Sequence, residues 1–179
     1  MSSVHTTTAI RGRFLDIQNT VAQAREIHDQ VRYVEDGLII TQNGKISWFG
    51  EWEAGQQHIP ENTQIQHYPE QLIVPGFIDT HIHFPQTEMV GAYGEQLLEW
   101  LNTYTFPTEM QFADKNYADK IAQFFVHELL KNGTTTALVF CTVHPQSVDA
   151  LFEAAEQHQM RLIAGKVMMD RHAPDELTD

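Results

Sequence analysis

The stretch PGFIDTHIHF, residues 75–84, limits the fold more than any other. Pro-Gly punctuates the chain, and an apolar run then ends in two histidines one residue apart. Read as a β-strand, the run alternates its side chains. Asp79, His81 and His83 then share one face, with the two imidazoles about 6–7 Å apart along the backbone. One metal ion can span that gap. Two neutral imidazoles leave a cation short of ligands, and the remainder must come from other strands that converge on the same face. A parallel barrel supplies such convergence, because its chemistry gathers at the carboxyl ends of the strands, where these histidines stand.

The chain beyond residue 75 agrees with that reading. The patch GEQLLEWLNTY is expected to be helical, with Leu97, Leu98, Leu101 and Tyr104 on one face. A stronger helix is expected from Asp114, a candidate N-cap, with Tyr117, Ile121, Phe124, Phe125 and Leu129 at helical spacing and Asn132-Gly133 as the stop. TTTALVFCTV has almost no polar alternation and reads as a strand buried on both faces. SVDALFEAAEQHQ comes next as a helix with Val148, Leu151, Phe152 and Ala155 inward, and RLIAGKVMM as another buried strand. Strand, helix, strand, helix, strand defines βαβ units and a parallel sheet, hence an α/β fold.

Residues 1–74 are organised differently and look β-rich. Asn43-Gly44 accepts the positive φ angles of a type I′ turn, so residues 37–41 and 45–49 are expected to form a hairpin. TAIRGRFLDI and TQIQHYPEQLIV are further candidate strands. Between them, residues 20–36 read as a loop or a frayed helix.

Charge and cysteine content narrow the chemistry. Eleven basic against twenty-four acidic side chains give a formal charge of −13, which repels phosphate backbones and anionic bilayers, so neither nucleic acid nor membrane is expected as a partner. The N-terminus lacks the apolar core of a signal peptide, and the expected location is cytoplasmic. With Cys141 the only cysteine, there is no intrachain disulfide and no zinc site built on paired cysteines. Metal chemistry must rest on histidine and carboxylate, and deaminases of the cytidine type, which need a Cys-x-x-Cys, are excluded.

Spacing alone carries little weight, because an isolated His-x-His usually has no function. Context strengthens it: both histidines lie on one strand face, an ionisable residue precedes them there, and a βα series succeeds them. Asp79 is read as structural, holding a backbone amide or orienting a ring. His144, in the loop after the second strand of the series, reads as a surface loop histidine, with lining of the pocket as the alternative, and Trp100 as core packing, with a substrate contact as the alternative.

With these residues in view, VPGFIDTHIH resembles the first-strand signature of the amidohydrolase superfamily. LLEWLNTYTFPTE, LLKNGTTTALVF and AGKVMMDR resemble the branch of it that deaminates guanine. The resemblance runs from RGRFLDI to the last residue. It implies the first part of a (β/α)8 TIM-like barrel over residues 75–179, preceded over residues 1–74 by the N-terminal part of a small β domain. It implies one Zn2+ per complete active site, with His81 and His83 among the ligands, and a substrate site lined by His83, Phe84, Pro85 and Gln86. A primary amide at Gln86 offers a donor and an acceptor to the edge of guanine.

The implied reaction is zinc-dependent hydrolytic deamination of guanine to xanthine and ammonia, and the implied assembly is a homodimer. The family's third histidine ligand, its aspartate ligand and its proton-transferring glutamate and histidine match no position here, so no catalytic acid or base is assigned within these residues. A barrel takes about 250 residues, and only three of its strands are expected after Gly76. The chain therefore reads as an N-terminal portion, inactive alone. Asp170 is assigned no ligand role. Lys166 falls on the third strand rather than the fourth, which favours one metal over two. The alternatives are an amidohydrolase acting on another heterocycle and a non-catalytic truncated fragment.

Overall fold

The structure is a computed structural model that describes residues 6–19, 24–94 and 96–179. Two compact units divide it, one running to Pro75 and the other Gly76–Asp179.

The first unit is a four-stranded mixed sheet of β1 (Thr7–Ile17), β2 (Val31–Gln42), β3 (Lys45–Glu51) and β4 (Ile65–Ile73), ordered β3-β2-β1-β4. β1 pairs antiparallel with β2 and parallel with β4. The β2–β3 hairpin turns at Asn43 and Gly44, whose φ angles of 53° and 75° are those a type I′ turn demands. Ala9, Leu38 and Ile40 form its small core beneath Trp48, Trp52 and Ile59, the second of these on the short helix α1 (Trp52–Gly55).

β2 starts earlier than its composition suggests. Residues 31–36, expected as loop, belong to the strand because pairing with β1 satisfies their polar side chains. Arg32 lies opposite Asp16 and donates two hydrogen bonds to it at 3.0 and 2.6 Å, and Arg11 donates two to Asp36 at 2.7 and 2.6 Å. Residues 24–30 form a 3-10 turn; the rest of the expected loop, residues 20–23, lies outside the described residues.

The second unit is a parallel sheet of β5 (Phe77–His83), β6 (Thr134–Phe140) and β7 (Arg161–Gly165), in that order, with α4 (Lys115–Lys131) and α5 (Pro145–Gln157) as the crossover helices. Asp114 caps α4 by accepting from the Asn116 amide at 2.9 Å, and Gly133 ends it at φ 86°. Phe84, Phe125, Val126, Ala137, Val139 and Leu151 meet in the core between sheet and helices.

That core covers only one face of the sheet, which corrects the two-sided burial expected of β6 and β7. Ala137 and Val139 are buried on the helix side, whereas Leu138 and Ile163, projecting the other way, are 37% and 57% exposed. Phe124 and Phe152 also stand outward rather than inward.

The helical patch forms, but with a different face inside. α2 (Leu97–Trp100) runs through a π-helical turn (Leu101–Thr105) into α3 (Phe106–Met110). Pro107 explains the widened turn: it has no N–H for the preceding turn and its ring crowds the carbonyl there. Leu97 and Leu98 are 70% and 73% exposed, and Phe106 packs instead with Val143 and Leu177. Among the described residues, no helix is long and apolar enough to cross a membrane.

Candidate metal centre

His81 and His83 end β5 on the sheet face that the helices leave open. Their Nε2 atoms lie 3.3 Å apart. Two nitrogens bound to one zinc at about 2.0–2.1 Å with a tetrahedral angle would stand about 3.3–3.4 Å apart, so the pair fits a single ion without rearrangement. Without metal, the same spacing lets one ring donate a hydrogen bond to the other. Burial, and then the neighbouring His81, hold the His83 imidazole below the ordinary histidine pKa. Its neutral form, the one that ligates, is favoured.

Asp79 does not reach toward this point. Its Oδ1 accepts from the His81 backbone N–H at 2.9 Å, so the carboxylate braces the strand immediately before the histidine pair. Phe140, the partner of His83 across the β5–β6 ladder, lies against both imidazoles.

Beyond His83 the chain enters a 3-10 turn (Phe84–Met89), which separates the expected substrate residues. Phe84 is fully buried and packs its ring on Phe112 and Phe125, and Pro85 is buried beside it. Both side chains anchor the turn rather than face solvent. Gln86 does face a cavity of about 710 Å³, which it lines together with His81, His83 and Trp100. Ile82 and Phe124 line the same cavity. Residues from both faces of β5 thus take part in lining it.

Glu109 is the polar residue that sequence reasoning passed over. It is 8% exposed on α3, which packs against the turn bearing Gln86. Burial pushes its carboxyl up to about 7, while the nearby Gln86 side chain pulls the other way. A carboxylate between Phe106 and Met110 in the stretch TFPTEM was the available signal. Phe140 offered no signal of its own, since its importance comes from the ladder register.

At the end of β6, a buried hydroxyl network shapes the loop to α5. Ser147 Oγ accepts from the Thr142 N–H and hydroxyl at 3.2 and 3.0 Å and donates to the His144 carbonyl at 2.8 Å, while Thr142 Oγ1 accepts from the His144 N–H at 3.0 Å. His144 is thereby drawn inward rather than left on a surface loop. Its Nε2 is buried without a hydrogen-bond partner, and burial, together with the nearby charge of Lys166, lowers its pKa. Lys166 pairs with Asp179, and Asp170 lies beyond β7 with an exposed carboxylate. Trp100 packs its ring on Gly94, where a Cβ would collide with it. Among the described residues, no cluster of three or more metal-ligating side chains occurs.

A parallel α/β sheet with two convergent imidazoles at the carboxyl end of a strand is the arrangement on which α/β enzymes build a metal centre. Residues 72–179 match the model of the amidohydrolase family, and the chain belongs to that family. Over all 179 residues it is 60% identical to guanine deaminase from Escherichia coli (strain K12), of which it spans 41%. The structure of the E. coli enzyme superposes with a TM-score of 0.90 over 96% of this chain and 40% of that one. Guanine deaminase from Bradyrhizobium japonicum, 40% identical, superposes with a TM-score of 0.87 over 97% of this chain and 38% of its own. A third, from C. acetobutylicum with guanine bound in its active site, is 29% identical with a TM-score of 0.78, covering 97% of this chain and 39% of that one. The chain thus spans about two fifths of the length of these relatives.

Proposed function

We propose that the chain is the N-terminal part of a zinc-dependent enzyme that hydrolyses guanine to xanthine and ammonia. The observation that carries this reading is the 3.3 Å approach of His81 Nε2 to His83 Nε2 at the end of β5. Likeness to guanine deaminases supplies the substrate. In this reading, residues 75–179 give the first three strands of a (β/α)8 barrel and residues 1–74 the N-terminal part of its small β domain. The bare apolar side chains of Leu138 and Ile163 support it, since in a closed barrel they would face the interior.

His81 and His83 would hold the zinc, which when bound supplies Lewis-acid chemistry that makes water nucleophilic near neutral pH. The water oxygen adds at C2 of guanine, the C2–N bond breaks, and the amino group leaves as ammonia. Gln86 would orient the ring, its amide nitrogen donating to and its oxygen accepting from the purine edge. Phe84 and Pro85 fix the turn from which Gln86 projects. This chain assigns no residue to the proton transfers, so residues 1–179 alone are expected to be inactive. A cytoplasmic homodimer completes the reading.

The test is a chimera in which residues 1–179 replace the matching part of E. coli guanine deaminase, a junction that 60% identity makes compatible. Zinc-loaded chimera is expected to convert guanine to xanthine. A folded, zinc-loaded chimera that leaves guanine intact but hydrolyses a different heterocycle would overturn the proposal.

A further inference from the structure

A metal centre needs its imidazoles aimed as well as placed. A histidine ring turns about two side-chain bonds, and ligating histidines are commonly held by a hydrogen bond from the second ring nitrogen to a carboxylate or carbonyl. Among the described residues, neither Nδ1 of His81 nor Nδ1 of His83 has such a partner; Asp79, the nearest candidate in sequence, bonds to the His81 backbone instead. Something else must fix the rings.

Phe140 is in position to do so. It sits opposite His83 in the β5–β6 register. Its ring stacks on His83 at 4.9 Å between centroids and 19° between planes, and meets His81 at 4.8 Å and 47°. One flat surface therefore touches both imidazoles, while their own centroids are 5.3 Å apart. Offset stacking of this kind restricts ring rotation by shape as well as attraction.

We propose that Phe140 is a positioning residue for the metal centre, a platform that holds the His81 and His83 rings so that their Nε2 atoms converge. The metal half of this statement rests on the zinc-site reading; the ring-holding half does not.

The experiment uses the 179-residue chain, comparing wild type with F140L, F140Y and L138A. Histidine ring protons are monitored by NMR in that chain, and zinc affinity, by competition with a chromogenic chelator, in the same variants of the E. coli chimera, which completes the ligand set. In the wild type, His83 ring protons should show the upfield displacement of a stacked aromatic. F140L should lose it and bind zinc about tenfold more weakly, the lower end of the usual cost of supporting residues. F140Y should keep both, and L138A, altered on the same sheet face, should keep wild-type affinity. Undisplaced His83 protons in the wild type would overturn the proposal even if F140L failed to fold. Equal zinc affinity in folded F140L would overturn it too. If the wild-type chain shows the displacement but its E. coli chimera binds no zinc, the metal reading falls and Phe140 remains the group that orders the two rings.

Discussion

The side chain of Gln86 stands close enough to the carboxyl of Glu109, buried on the neighbouring helix α3, to lower its pKa. Burial raises the Glu109 pKa from 4.5 to about 7, and the amide offsets only part of that cost. The native state therefore binds a proton more readily than the unfolded chain between those values. Stability is highest below pH 4.5, as far as this group is concerned, and falls as pH rises through about 7. At about 1.4 kcal/mol per pKa unit, the loss is up to about 3 kcal/mol. E109Q should flatten the slope and, at pH 8, melt higher than wild type. Urea midpoints of both proteins at pH 5 and pH 8 measure it, and parallel pH profiles would refute the assignment.

Replacing either imidazole should end activity in the E. coli chimera. H81A and H83A each leave one ligand at the end of β5, and the expected loss in kcat/KM exceeds the roughly 100-fold that supporting residues cost. Metal content per chain, read alongside the rate, should fall with it. A variant that keeps full zinc and full rate would exclude that histidine from the centre.

Cys141 should be inert while the chain is folded. It is buried, and desolvation pushes its thiol up to about 12, with only a weaker opposing hydrogen bond at Gly165. Thiolate is the reactive form, so disulfide reagents should label the native protein slowly and the urea-unfolded protein at once. Rapid labelling of native chain at pH 8 would contradict the burial.

Ser147→Ala tests the hydroxyl network before α5. The change leaves the Thr142 amide without its acceptor in a site where both side chains are fully buried. The expected cost is about 1–3 kcal/mol, measured by urea denaturation. A difference near zero would show that the loop re-pairs these groups by itself.

Much of the architecture was legible because local chemistry fixes it. Asn43-Gly44 specifies its turn, Asp114 caps α4, and the β5 alternation puts both imidazoles on one face. Burial was less legible. The β6 sequence is apolar on both sides, but Leu138 and, beside it on β7, Ile163 remain 37% and 57% exposed, so pattern and exposure part ways. Leu97 and Leu98 mark a helical stripe, yet Pro107 and the wider turn before it bring Phe106 and Glu109 inward instead. Residues 31–36 defeated composition because Arg32 and Asp16 pay for a polar strand across the ladder. The link between Gln86 and Glu109 could not be read at all, since it joins positions in two separate turns of chain.

β5 closes one side of its sheet with nothing hydrogen-bonded to its outer edge among the described residues, and such an edge is a template on which a foreign strand can grow. Mutual repulsion between copies that each carry a formal charge of −13 opposes that growth in dilute buffer. Added salt shortens the reach of that repulsion, from about 30 Å at 0.01 M to about 3 Å at 1 M, and leaves the bare edge as it was. Turbidity of this chain should therefore rise with ionic strength, the reverse of what a protein held together by surface ion pairs would do.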